Sequence, residues 1–366
     1  MPPPPRVSVV LPVFNAEPYL GDAVESLLGQ TLRDFELIVI DDGSTDGSRG
    51  ILEGFAARDN RVRLVVRENR GLAATLNEGI QRTGADSVAI MNADDVALPE
   101  RLAKQADFLD AYPGIAAVGS QIRLMRHDGR LGPTTSLPTS PAQVCTFLRK
   151  ASPLAHPVVM FRRQAVLAVG GYRPQMEPAE DYDLWLRLAE HHDLANLPDV
   201  LLYYRLHACQ ATAQGFEAVG IATLTAQASA RARHTGVQDP VETQDRINLY
   251  FAESLGIPAE AIAGLAIEAA LTRGESLLTA GASAAAAMQP LESLAGHPLA
   301  VLRPGLYTAA CRWLAGRSLL KEGRFSAGWP QIIAAAVSEP YFRRRMFYAA
   351  ARRGRPSLFH VSAAVG

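Results

Sequence analysis

Cysteine is scarce in this chain. Three occur in 366 residues, Cys145, Cys209 and Cys311, and an odd number placed far apart fits neither a disulfide framework nor a thiolate metal cluster. Each reads as a reduced thiol. Neither sign of charge is in excess: 36 Lys and Arg face 37 Asp and Glu. No general electrostatic attraction to nucleic acid follows, and nucleic acid is not an expected partner. Long apolar runs are also missing. No uninterrupted stretch approaches the roughly 20 residues of a membrane-spanning helix, and the proline run at residues 2–5 has no apolar signal-peptide core behind it. A soluble cytoplasmic protein is the expectation. The first apolar run is not followed by a basic glycine-rich phosphate loop, which counts against nucleotidyl transfer.

The length is enough for two domains, each with its own core. Short β-branched runs at 7–13, 35–40, 62–66 and 87–91 alternate with helical spacing at 19–28, 48–57 and 72–81. The middle runs are almost continuously apolar, as strands covered on both faces are. Repeated βα units predict an α/β fold, a mostly parallel sheet with helices on both faces. A helix over 102–112, a strand over 115–119, a Pro- and Gly-rich loop over 128–141, a helix over 180–189 and a strand over 200–204 follow. Near residue 212 the composition shifts to alanine-rich helical sequence. The expected division is therefore 1–212, α/β, and 213–366, all-α. Within the second part, 277–281 with Leu291 and Pro298 matches 319–323 with Ile333 and Pro340 at an offset of 42 residues. That spacing suggests two degenerate helical hairpins of the α-solenoid kind, although alanine-rich helices also coincide by chance.

The residues with chemistry lie at the carboxyl ends of the predicted strands, where an open α/β sheet binds its ligands. The first strand runs into Pro12, Val13, Phe14 and Asn15, with Glu17 beyond. The second ends in Asp41-Asp42-Gly43-Ser44-Thr45-Asp46, which reads equally as a turn with a helix cap or as carboxylates accepting a base N–H and a ribose hydroxyl. Asn69-Arg70-Gly71 closes the third, and Arg70 is either a solvated loop charge or a phosphate partner. The fourth ends in Asn92-Ala93-Asp94-Asp95. Hard carboxylate oxygens there suit Mg²⁺ or Mn²⁺, which keep several waters and bridge substrate phosphates; the plain alternative is a capped turn with solvated acids. Glu180 and Asp181 open an amphipathic helix, a first turn whose dipole favours acids and where a carboxylate can also serve as general base. His156 and His207 taken alone read as structural.

In combination these segments resemble family 2 inverting glycosyltransferases of GT-A fold. Val9 to Asn15, Asp41 to Asp46, Asn69 to Gly71, Asn92 to Asp95 with Pro99-Glu100-Arg101-Leu102, and Glu180 to Trp185 stand in that family's order over residues 6–212. No one motif is specific; five in order are. The resemblance implies a nucleobase and ribose pocket around Pro12 to Asn15, Asp41 and Asp42, with Asp42 favoured for the base. It places Asn92-Ala93-Asp94 at the family's Asp-x-Asp position, Asp94 binding a divalent ion and the first position contacting ribose or metal-bound water. Asp181 matches the catalytic base, with Glu180 beside it, and His207 resembles a histidine that completes the metal shell. One departure is Asn92, where the family usually has Asp. The implied partners are a nucleotide-diphospho-sugar, UDP-linked by preference, and a glycan or lipid-linked acceptor in polysaccharide or surface-glycan assembly. The alternative is a non-catalytic nucleotide-sugar-binding or scaffold protein built on the same domain.

The last stretch, 340–355, carries Arg343, Arg344, Arg345, Arg352, Arg353 and Arg355 among Phe342, Met346, Phe347 and Tyr348. This pattern fits either an amphipathic helix at the inner face of an anionic membrane or a terminal helix docked through its aromatics.

Overall fold

The computed structural model describes residues 4–207, 215–342 and 346. Contacts divide the chain into two compact units, one of residues 4–124 with 136–205, the other of 125–135 with 206–207 and the described residues from 215 onward.

The first unit is built on strands β1 (Val7–Val13), β2 (Phe35–Asp42), β3 (Val62–Arg67) and β4 (Ser87–Ile90), which alternate with helices α1 (Glu17–Leu28), α2 (Ser48–Arg58) and α3 (Leu72–Arg82). These are the predicted βα units. β1 pairs in parallel with both β2 and β4, and β2 with β3. The order 3-2-1-4 reverses direction at β1, so a switch point lies between the carboxyl ends of β1 and β4. Every residue of β4 is buried, as are six of the seven in β1. Helix α3 lies close on β1 because Gly79 has no side chain: a Cβ there would stand 2.4 Å from Val10 Cγ1.

Beyond β4 the sheet continues with antiparallel pairings. A two-residue strand β5 (Val96–Ala97) precedes α4 (Arg101–Ala111); β6 (Ile115–Arg126), β7 (Leu131–Thr134), α5 (Pro141–Leu148), β8 (Met160–Arg162), α6 (Arg163–Ala168), α7 (Glu180–Leu188) and β9 (Asp193–Leu206) follow. The full order is β3-β2-β1-β4-β8-β6-β9-β5, with β7 on β6. β6 runs seven residues past its predicted end at 119. Its polar continuation is tolerated because the Gln121 amide donates to the Leu137 carbonyl at 3.1 Å and accepts from the Leu137 N–H at 2.8 Å. β9 is likewise longer than its apolar segment, and its Asn196 donates to the carbonyls of Pro138 and Pro153. The predicted loop over 128–141 contains β7 and the start of α5, whose Ser140 and Gln143 form a reciprocal cap.

The second unit is helical: α8 (Phe216–His234), α9 (Leu249–Ser254), α10 (Ala259–Thr279), α11 (Ala284–Glu292), α12 (Pro298–Leu302), α13 (Pro304–Lys321) and α14 (Phe325–Ser338). They share a core that includes Phe216, Ile262, Ile267, Leu291, Trp313, Leu314 and Phe342. Both α10 and α13 end before a left-handed glycine, Gly281 and Gly323, 42 residues apart, and each turns back into a shorter helix. A buried acid joins the two hairpins: Glu275 on α10 accepts from Trp313 Nε1 and from Arg317 on α13, both at 2.8 Å. Among the described residues no helix is long and apolar enough to cross a membrane.

Candidate active site

The loops after β1 and β2 are tied to each other before any ligand is considered. Asn15, with φ 50°, is the one non-glycine described residue in the left-handed region. Its side-chain oxygen accepts from the Thr45 N–H at 2.8 Å, and its own N–H donates to Ser44 Oγ at 3.0 Å. Glu17 N–H donates to Asp46, and a Glu17 oxygen accepts from the Gly47 N–H at 2.8 Å. Asn15 and Glu17 therefore lock the two loops together. Phe14 beside them is half exposed.

Asp41 and Asp42 end β2 and are buried. Asp41 accepts from the Ser44 N–H at 3.0 Å. Asp42 accepts from the N–H groups of Arg70 and Gly71 at 2.9 and 3.1 Å and pairs with the Arg67 guanidinium at 2.6 Å. A carboxylate offers about four lone-pair positions, so three partners leave Asp42 room for one more donor. Through these bonds it fixes the turn at 69–71. Gly43 permits the approach with φ 81°; a Cβ there would meet the Asn69 nitrogen at 2.8 Å. Arg70 also lines a groove of about 450 Å³ along α3 with Ala74, Asn77, Glu78, Gln81 and Arg82.

The acidic turn after β4 is held from β9 by a residue to which the sequence assigns no role. Arg205, buried, donates from its backbone to Asp95 Oδ1 at 2.9 Å, from Nε to the Asp94 carbonyl at 2.8 Å, and from its terminal nitrogen to Asp22 at 2.9 Å. Its guanidinium also stacks 4.7 Å from the centre of the Tyr19 ring. Behind the turn, Arg101 is fully buried and donates to the Ile90 carbonyl at 2.6 Å. Burial pulls its pKa down to about 9, with Asp95 opposing, so it stays charged at neutral pH. Burial and the Asp94 charge hold the Asp95 carboxyl well above its usual range. Asp95 is a buttress; Asn92 and Asp94 in the same turn are partly exposed.

Among the described residues no three His, Cys, Asp or Glu side chains gather into a metal-holding cluster. The donor set offered by the turn is a carboxylate and an amide oxygen, which fits a hard divalent ion held largely by phosphate oxygens and water. It does not fit a closed protein cage. His207 belongs to the second unit, where its carbonyl accepts from Arg273 at 2.6 Å.

Glu180 and Asp181 stand in the first turn of α7. The helix is anchored two residues further on: fully buried Asp183 pairs with Arg173 at 2.7 Å and Arg187 at 2.8 Å, and Arg187 also donates to the Gly171 carbonyl at 2.7 Å. Burial pushes the Glu180 carboxyl up to about 8, with the charges of Asp181, Glu177 and Asp183 adding. Burial likewise raises Asp181 to about 6 against the opposing N–H of Tyr182, which donates to it at 2.6 Å. Two adjacent carboxyls in this first turn are thus both held above the ordinary carboxylate range. Beside them Tyr172 and His156 are hydrogen-bonded at 2.9 Å, and burial takes His156 down to about 4, so it is neutral at pH 7. The structural reading of His156 agrees with this contact.

Acids at the switch point of a sheet of this order define a GT-A architecture. Residues 1–349 of S. aureus TarS, solved in complex with UDP, share it: the TM-score is 0.52 over 93% of this chain and 92% of that one, at 16% identity. The glycosyl transferase family 2 model matches residues 8–170. EpsE of Bacillus subtilis (strain 168), named a putative glycosyltransferase, is 35% identical over 190 residues, 51% of this chain and 67% of EpsE. The amylovoran biosynthesis glycosyltransferase AmsE of Erwinia amylovora is 35% identical over 205 residues, 54% of this chain and 75% of its own. The chain belongs to glycosyltransferase family 2.

Proposed function

We propose that this protein transfers a sugar from a nucleotide-diphospho-sugar to a hydroxyl acceptor with inversion at the anomeric carbon. The observation that carries the reading is the Glu180–Asp181 pair, whose raised affinity for protons suits a general base near neutral pH. The acceptor oxygen forms a bond to the anomeric carbon as the bond to the diphosphate oxygen breaks. Its proton passes to Asp181, and the nucleoside diphosphate leaves. Glu180 positions the base or the acceptor.

Pro12, Phe14, Asn15, Asp41 and Asp42 form the proposed base and ribose pocket, walled by Glu17, with Asn69, Arg70 and Ala93 lining the phosphate side. Asp42 is the favoured base contact through its remaining acceptor position. Asn92 serves the ribose as a neutral hydrogen-bonding group, and Asp94 would hold Mn²⁺ or Mg²⁺. Such an ion supplies neutralisation of charge on the leaving diphosphate. A UDP-sugar is the favoured donor. Polysaccharide assembly is the proposed setting, in keeping with the amylovoran biosynthesis in which AmsE is named. A glycan or a lipid-linked acceptor fits that setting, the latter with peripheral contact at the inner membrane face.

The test is transfer or donor hydrolysis by Asp181→Asn. Removing a positioned base lowers turnover about 10²–10⁴-fold, while donor binding persists. Equal loss of donor binding would make Asp181 structural. Donor binding without turnover in the unaltered protein would favour the scaffold alternative.

A further inference from the structure

Along helix α14 large apolar side chains line up in the open. Its 14 residues contain no Asp, Glu, Lys or Arg. Gly328, Ile332, Ala335 and Ala336 face the core. The packing against α13 is tight because glycine meets glycine: a Cβ on Gly316 would stand 2.8 Å from the Gly328 carbonyl oxygen, and one on Gly328 would stand 2.9 Å from the Gly316 carbonyl oxygen. Phe325, Trp329, Ile333 and Val337 recur every four residues along the helix and are 61, 50, 50 and 70% exposed. Spacing of four keeps them on one side. Nothing in the fold needs a tryptophan and an isoleucine there. A contiguous apolar face of this kind marks an interaction site.

What covers it is indicated by charge. The chain leaves α14 at Ser338, and Phe342 is buried against Trp313 with ring centres 5.3 Å apart. Arg343, Arg344 and Arg345 follow Phe342 directly. From Tyr341 to Gly366 the sequence has six arginines and no acidic residue. An exposed aromatic and aliphatic stripe followed at once by a cluster of cations complements a surface with an apolar interior and anionic headgroups. We infer that α14 is a membrane-docking helix, its Phe325–Trp329–Ile333–Val337 stripe entering the headgroup boundary of an anionic bilayer. The inference rests on the transferase reading only for its purpose, access to a lipid-linked acceptor.

The experiment is flotation of the full-length protein with vesicles of phosphatidylcholine alone or with one-third phosphatidylglycerol, at low and high salt. Trp185 and Trp313 are buried, so Trp329 is the described tryptophan whose emission can respond to lipid. The expected result is flotation with the anionic vesicles and a blue shift of tryptophan emission that Trp329→Phe abolishes. Apparent affinity should fall about tenfold or more in Trp329→Ser/Ile333→Ser, in Arg343→Ala/Arg344→Ala/Arg345→Ala, and at high salt. Thermal stabilisation by nucleotide-sugar, read on the same variants, should be unchanged and reports separately on the transferase site. Absence of flotation with either vesicle would overturn the inference. So would a dimer by light scattering that dissociates in the Trp329→Ser/Ile333→Ser variant without any lipid response, which would make the stripe a contact between copies.

Discussion

Arg205 shows how much a single side chain can organise without touching chemistry. It reaches the Asp94 carbonyl, Asp95, Asp22 and the Tyr19 ring at once, so the turn that carries Asn92 and Asp94 is positioned from the far strand. A shift of about 1 Å in a reacting group can cost about 10²-fold in rate. Arg205→Ala is therefore expected to lower kcat/KM about 10–100-fold and to abolish metal-dependent donor stabilisation, with far-UV circular dichroism retained. Arg205→Lys should recover little, because a point charge cannot replace the fork and the stacking. The position was visible in the sequence only as part of Tyr-Tyr-Arg-Leu-His, since a residue that works through a backbone carbonyl leaves no spacing signature. Asp41, Asp94 and Asp181 were legible because acids at strand ends and in a helix first turn are chemically conspicuous.

The acid pair makes a second residue-scale prediction. Glu180 and Asp181 have ordinary values of 4.5 and 3.8 and rise to about 8 and about 6 in the fold, chiefly through burial. The folded chain thus binds protons more tightly than the unfolded one, and the pair's contribution to stability falls as pH rises from about 4 to about 8. Glu180→Gln removes the larger share. Relative to the unaltered protein, its Tm should gain on going from pH 5 to pH 8.5; an unchanged difference between the two across that range would contradict the environment described for Glu180.

At the scale of elements, the parallel half of the sheet was readable because strands buried on both faces are mostly apolar, as β1, β2 and β4 are apart from Ser8, Glu36, Ser87 and the two acids that end β2. β8 has three residues, too few for periodicity to register. β6 and β9 outran their apolar segments because Gln121 exchanges side-chain hydrogen bonds with the Leu137 backbone and Asn196 donates to the Pro138 and Pro153 carbonyls. The seating of α3 on β1 depends on Gly79, which a helical pattern does not distinguish from alanine. Gly79→Ala places a methyl 2.4 Å from Val10 Cγ1, and overpacking of this kind costs about 1–3 kcal/mol. Chemical denaturation should show that loss even though alanine is the better helix former; a neutral or stabilising result would mean that α3 can lift from β1 freely.

For the whole molecule, the sequence relatives EpsE and AmsE match 51 and 54% of the chain, whereas the structural likeness to TarS extends over 93% of it. The helical arrangement was nonetheless partly legible. The two glycine-terminated helix ends lie at the 42-residue spacing that the sequence displays, while the Glu275 link to Trp313 and Arg317 pairs residues too far apart for local pattern to suggest. All six arginines of the basic run, Arg343, Arg344, Arg345, Arg352, Arg353 and Arg355, lie outside the described residues.

The central claim is a nucleotide-sugar site at the switch point with Asp94 as its metal residue. Thermal stabilisation by UDP-, GDP- and dTDP-sugars, with and without Mn²⁺, on the unaltered protein and on Asp94→Ala, tests it directly. The account predicts a Mn²⁺-dependent rise in Tm for one nucleotide class, UDP by preference, that Asp94→Ala loses. No rise with any donor, or an equal rise in the variant, would contradict it.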